Sequence, residues 1–381
     1  MEEMLVATAH PDVLSLALGL PCPDLFPTEA LGRALGRTLD RDDRALQYGP
    51  PRDELRTFVA ERMSGRGVSC GPDDVFLTAG AQQGMSLLTR LLLDPGDGVV
   101  VEEKCYPGFL QAVAPARPRL STVPTDPRRG LDVDALERSL RGGLRPKLLY
   151  VIPDGHNPLG ASLPRESRER IVELSGEFGF AVLEDDAYGG VRFRDDGPPV
   201  LRALDPEVLY VGSFSKTLAP ALRCGWIVAP PRLAGPLGSL KESSDINTAT
   251  LAQRAITDFV TRGHFDAHVS RLREGYGRRR AAMLASVDRH LPGATRSEPD
   301  AGFFVWVDLP DGADTVRLLR DCLDRERVAF VPGAAFAAGE AAPSRSGMRL
   351  SYSFASPQEI EEGVARIGRT WAASRKEPIR E

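Results

Sequence analysis

The chain has 381 residues, of which 42% are apolar, 27% charged and 7% aromatic, and its 48 basic and 53 acidic side chains leave a net charge of −5. At roughly 150 residues per domain this length suggests two or three domains, with core enough to fold without disulfides or a structural metal. The mild acidity argues against a nucleic-acid-binding face, no run approaches the roughly 18 apolar residues of a membrane span, and no basic-then-apolar secretory start is visible, so a cytoplasmic protein is expected.

In chain order, the first forty residues carry four prolines (11, 21, 23 and 27) and no long periodic pattern before Glu29, and read as an extended arm. From 73 to 230, short apolar runs alternate with amphipathic segments. Strands are expected at 75–78, 99–102, 120–123, 148–152, 181–184, 208–212 and 226–229, several of them the unbroken β-branched or Leu-rich runs of strands buried on both faces of a parallel sheet. Helices are expected at 81–93, where Met85, Leu88, Leu91 and Leu92 recur at helical spacing, and at 165–178. The alternation implies a doubly wound α/β domain. One long helical stretch, 248–291, follows and is closed by Pro292-Gly293. Within it Arg273, Arg278, Arg279 and Arg280, interrupted by Glu274, read as a solvated face. His264 and His268 stand at helical spacing, but HFDAH lacks the Glu that a zinc protease places beside its first histidine, and no metal site is expected. Strands at 303–308 and 348–354, with helices at 313–325 and 357–373, suggest a smaller α+β domain. The five cysteines (22, 70, 105, 224 and 322) form no C-x-x-C pair and read as reduced thiols.

The chemistry-bearing residues gather where predicted strands end. Thr78-Ala79-Gly80-Ala81-Gln82-Gln83-Gly84 is a Gly-bearing strand-to-helix turn, whose free N–H groups suit a phosphate. It is neither a Walker loop nor a G-x-G-x-x-G fingerprint. Pro153-Asp154-Gly155-His156-Asn157-Pro158-Leu159-Gly160 and Glu184-Asp185-Asp186-Ala187-Tyr188 end two further strands. Gly212-Ser213-Phe214-Ser215-Lys216-Thr217 ends another, with Arg223 shortly after. Only five basic residues are lysine (104, 147, 216, 241 and 376), against 43 arginines that stay protonated, so amine chemistry has five candidates. Lys216 stands at the carboxyl edge of a buried sheet, where α/β proteins place their ligands.

In these motifs and their order the chain resembles the fold-type I pyridoxal-phosphate enzymes, specifically class I/II aminotransferases of the aminoadipate and kynurenine branch. The resemblance runs from LALGLPCPDLFP to RLSYSFASPQEI. It implies an arm at 1–38 packing with the small domain, a large cofactor domain at 39–275 with a mostly parallel seven-stranded sheet, and a small α+β domain at 276–381. Lys216 is then the catalytic residue, holding pyridoxal 5′-phosphate covalently and acting as base on the substrate Cα. Asp185 faces the ring nitrogen, leaving Asp186 structural. Tyr188 and Asn157 bond the 3′-oxygen, and Tyr106 stacks on the ring. Ala81 and Gln82, through backbone N–H groups, share the phosphate with Ser213, Ser215 and Arg223. Tyr48 reaches the phosphate of a neighbouring subunit, which implies a homodimer with shared sites. Arg349 grips the substrate carboxylate, with Asn157 beside it, and Gly19 lines the pocket.

Four departures from the family pattern leave every catalytic group in place. The segment from Pro50 to Arg56 is compressed, Lys104-Cys105 precedes Tyr106, Leu159 follows Asn157-Pro158, and Leu18 stands beside Gly19. All are expected to alter pocket walls, except Lys104, which reads as a surface residue. The expected reaction moves an amino group between an L-amino acid and a 2-oxo acid by a ping-pong mechanism. One alternative is a lyase, cyclase or oxidase using the same cofactor in a secondary-metabolite pathway. Another is a non-catalytic sensor, although only the arm precedes the sheet domain and no DNA-binding module is expected.

Overall fold

The structure, a computed structural model, describes residues 10, 12–194, 197–310 and 312–375. Pro11 of the arm and Lys376 lie outside the described residues. All seven strands expected between 73 and 230 form one sheet. They are β1 (Val75–Thr78), β2 (Gly98–Glu102), β3 (Arg119–Val123), β4 (Leu148–Val151), β5 (Ala181–Asp186), β6 (Leu209–Ser213) and β7 (Gly225–Val228), in the order β1-β7-β6-β5-β4-β2-β3. Both faces are covered, which is why these strands read as unbroken apolar runs. Val99, Val101, Leu148 and Tyr150 pack to one side, while Val100, Leu149 and Val151 pack to the other.

β7 is the exception to the parallel rule. It pairs antiparallel with both β1 and β6, Gly225 lying opposite Thr78 and Ser213. Its amino end therefore shares one rim with the carboxyl ends of the other six. That geometry brings Arg223, just before β7, to the edge where the strand-end motifs meet.

A second sheet holds β8 (Thr295–Arg296), β9 (Phe304–Asp308), β10 (Val331–Pro332) and β11 (Gly347–Ser351), all antiparallel, in the order β8-β9-β11-β10. Helices Thr315–Glu326 and Pro357–Ser374 join it in a core with Trp306, Leu318, Ile360 and Trp371. The arm is fastened to this unit: Leu14–Ser15 pairs parallel with Val328–Ala329, and Ser351 donates its N–H to the Leu16 carbonyl.

Four expectations need correction. The stretch 248–291 is two helices, Thr250–Thr261 and His264–His290, because Gly263 takes φ +74° between them. An extended course does not hold through residue 40, since Thr28–Arg41 is helical, with Leu31 and Ala34 buried and Arg37 paired with Asp258. Arg279 is buried rather than solvated, its guanidinium donating to the carbonyls of Ala355 and Gly275 and to Cys22 Sγ. Leu159 belongs to the core under the second sheet, not to a pocket wall. All five cysteines are free. No helix among the described residues is long and apolar enough to cross a membrane.

Candidate active site

A cavity of about 540 Å³ opens at the common rim, between the two sheets and under the arm. Of the residues singled out in the sequence, it collects Gly19, Ala81, Gln82, Tyr106, Asn157, Asp185, Tyr188, Ser213, Ser215, Lys216, Arg223 and Arg349. Tyr48 is elsewhere, 72% exposed. Lys104 is also outside the cavity, paired with Glu103.

Lys216 follows β6 and lies half-buried near the rings of Tyr188 and Phe303, its Nζ donating to the Gly19 carbonyl at 3.1 Å. Burial pulls its pKa down to about 8, nearby Arg349 adds to the shift, and Asp185 opposes it. An amine with its pKa lowered in this way is neutral, and so nucleophilic, far more often than an ordinary lysine.

Asp185 and Asp186, the last two residues of β5, point to opposite faces because side chains alternate along a strand. Asp186 is saturated by Arg66, by Tyr210 Oη at 2.7 Å and by the Gly189 N–H at 2.7 Å. Asp185 faces the cavity. Tyr150 Oη donates to its Oδ2 at 2.8 Å, while Oδ1 is buried with no partner. Burial pushes its carboxyl up to about 6, and the Tyr150 hydrogen bond works against that rise.

An anion cradle lies where β1 meets helix Ala81–Leu92. The N-cap, Gly80, offers no side-chain cap, so the first N–H groups of the helix stay available. Gly80 takes φ +87°, and a Cβ there would stand 2.6 Å from Arg223 Nη2. A Cβ on Gly225 would stand 2.9 Å from the Ala81 nitrogen. Glycine at 80 lets the backbone approach the arginine closely, and glycine at 225 lets β7 pass close to the backbone of the cradle. Arg223 donates to the Ala79 carbonyl at 2.8 Å, and Ser213 Oγ accepts from the Ser215 N–H at 3.0 Å.

Arg349, on β11, crosses from the second sheet. Its Nη1 donates to Asn157 Oδ1 at 2.8 Å and its Nη2 to the Ala17 carbonyl at 2.7 Å, leaving buried Nε without a partner. The guanidinium lies 4.2 Å from the Phe304 ring centroid, and burial lowers its pKa to about 10. Gly19 is held against the same ring, 2.7 Å from where its Cβ would be.

Several contributors escape a reading of the sequence. Tyr150 hides in an apolar strand, and the Ala17 and Gly19 carbonyls have no side-chain signature. His156 Nε2 and Glu102 Oε2 meet at 2.7 Å, both buried, tying the loop after β4 to the end of β2. A glutamate closing an apolar strand was the signal for that last pair, since buried carboxylates need partners.

These residues fit pyridoxal phosphate in three independent respects. They present a half-buried amine of lowered pKa, an unpaired carboxylate oxygen in the same cavity, and a glycine-walled cradle of N–H groups with an arginine at its side.

Comparison with known proteins points the same way. The chain is 39% identical to the 2-aminoadipate transaminase of Thermus thermophilus, covering 97% of this chain and 92% of that protein. It is 36% identical to the aromatic-amino-acid aminotransferase 1 of Thermococcus litoralis, over 97% of this chain and 90% of the relative. The crystal structure of a kynurenine aminotransferase from Pyrococcus horikoshii superposes with a TM-score of 0.93 at 34% identity, covering 99% and 95% of the two chains. All three are named for amino-group transfer, the reaction expected above, rather than for a lyase, cyclase or oxidase. The family model for aminotransferase class I and II matches residues 11–367, which takes in both the sheet rim and the strand bearing Arg349. The chain therefore belongs to the class I and II aminotransferases and is a pyridoxal-phosphate-dependent transferase.

Proposed function

We propose that Lys216 carries the cofactor through its Nζ and moves a proton to and from the substrate Cα while an amino group passes from an L-amino acid to a 2-oxo acid. The observation that carries this reading is the placement of a half-buried, easily deprotonated amine and a half-unpaired buried carboxylate in one cavity. When bound, the cofactor supplies an electron sink for the pair left on Cα. The remaining work falls to the protein. Asp185, through Oδ1, holds a proton on the ring nitrogen. Tyr188 and Asn157 orient the 3′-oxygen, and Tyr106 covers a ring face. The N–H groups of Ala81 and Gln82, with Ser213, Ser215 and Arg223, hold the phosphate. Arg349 turns to the substrate carboxylate with Nε and one terminal nitrogen, and Asn157 steadies it. Gly19 leaves room for the substrate beside Phe304.

Tyr48, exposed and away from its own cavity, serves the partner's phosphate in a homodimer with shared sites. The arm is assigned to 1–38, the large domain to 39–275 and the small domain to 276–381, and the enzyme is assigned to the cytoplasm. Borohydride reduction of the loaded enzyme followed by peptide mapping tests the central claim. A label on Lys216, together with 2-oxo acid released from an amino donor, is the expected result. A label on another side chain overturns it.

A further inference from the structure

The partner of Asp185 has no assigned part in the reaction. Tyr150 lies opposite Leu183 in the β4–β5 ladder, and Asp185 stands two residues beyond Leu183. Side chains two apart share a face, so the register itself sets the phenol beside the carboxylate. Tyr150 is 2% exposed, and the Phe109 ring stacks on it at 3.7 Å with planes 4° apart. That contact leaves the ring little freedom to swing away. Its Oη donates to Oδ2 at 2.8 Å, and Oδ1, on the same carboxylate, has no partner.

From this geometry we infer that Tyr150 is a positioning residue, its O–H pinning Oδ2 of Asp185 so that Oδ1 is turned to the cofactor's ring nitrogen. The inference rests on the role proposed for Asp185. A carboxylate fixed at one oxygen loses its rotational freedom about the terminal bond, and the hydrogen bond favours the ionised form that can accept from the ring. Burial alone would favour the neutral carboxyl, which has one fewer acceptor to offer. Asp186 cannot stand in, because Arg66, Tyr210 and the Gly189 N–H occupy it on the other face. Lys216 and His156 act on Asp185 through space.

The test compares two ligands on cofactor-free enzyme: pyridoxal phosphate and its analogue with carbon in place of the ring nitrogen. Tyr150→Phe should weaken binding of the natural cofactor about tenfold, as expected for a lost hydrogen bond to a charged group, and leave binding of the analogue unchanged. Equal losses for both ligands would mean the phenol only supports the fold, and no loss for either would mean it has no part; both overturn the inference. The parent enzyme separates the two claims. Should it bind both ligands equally well, the Asp185 assignment itself fails. If Tyr150→Phe does not fold, 3-fluorotyrosine placed at position 150 keeps the shape and strengthens the donor. It should then tighten binding of the natural cofactor alone, and unchanged affinity would overturn the inference.

Discussion

Arg349 and Asn157 form one hydrogen-bonded unit across the two sheets, Nη1 to Oδ1 at 2.8 Å, with both side chains buried. If both serve one bound substrate, their losses are coupled. Arg349→Lys, which loses the planar fork, should raise KM for the amino donor by tenfold to about a hundredfold and change kcat less. Asn157→Ala should cost less, and the double variant less than the two combined. Steady-state kinetics on the four proteins provides the cycle, and strictly additive losses would refute the coupling.

The lowered pKa of Lys216 sets a pH profile for cofactor capture. With a value near 8, roughly a tenth of the amine is neutral at pH 7 and about half at pH 8. The rate at which cofactor-free enzyme takes up pyridoxal phosphate, followed by visible absorbance, should climb about fivefold over that unit and level off above pH 9. A tenfold rise per unit continuing to pH 10 would indicate an ordinary lysine.

Asp185 should cost the cofactor-free protein stability at neutral pH. Its folded pKa, about 6, lies above the ordinary 3.8, so the folded state binds the extra proton between these values and stability falls as pH rises through that window. The gap corresponds to about 3 kcal/mol once the pH is well above 6. Asp185→Asn should therefore melt higher than the parent at pH 8 without cofactor, and the difference should vanish near pH 4. An equal difference at both pH values would disprove the linkage.

Gly80→Ala combines a left-handed backbone with a Cβ at 2.6 Å from Arg223 Nη2. The strain of ~1–3 kcal/mol falls on the cradle rather than on the core. Cofactor affinity measured by equilibrium dialysis should drop at least tenfold. Unchanged affinity would remove the cradle from the phosphate site.

Shared sites predict complementation. Lys216→Ala keeps a sound Tyr48, and Tyr48→Ala keeps a sound Lys216, so a mixed dimer regains one complete site. Equal mixing after dissociation should restore up to about a quarter of parental activity beyond the residual activity of Tyr48→Ala. Mixing without effect would mean that Tyr48 serves no partner.

The large sheet was legible because burial on both faces writes itself as unbroken apolar runs, as in Leu148–Val151. The reversed direction of β7 was not, since hydrophobicity carries no polarity along the chain. The break at Gly263 was missed for a related reason: apolar spacing continues across it, and one glycine within a helical pattern does not by itself announce a left-handed turn. Lys216, Asp185 and Arg349 stood out as unusual residue types at the ends of strands or within a recognisable motif. Tyr150 could not, because its partner lies on another strand and only the register brings the two together.

The arm presents its main chain, not its side chains, to the two cations that matter most: the Ala17 carbonyl to Arg349 and the Gly19 carbonyl to Lys216. Point substitution leaves those oxygens in place, whereas truncation removes them. A version shortened to begin at residue 21 would leave two like charges side by side in a cavity laid open to solvent. Affinity tags and fusion partners belong at the opposite terminus.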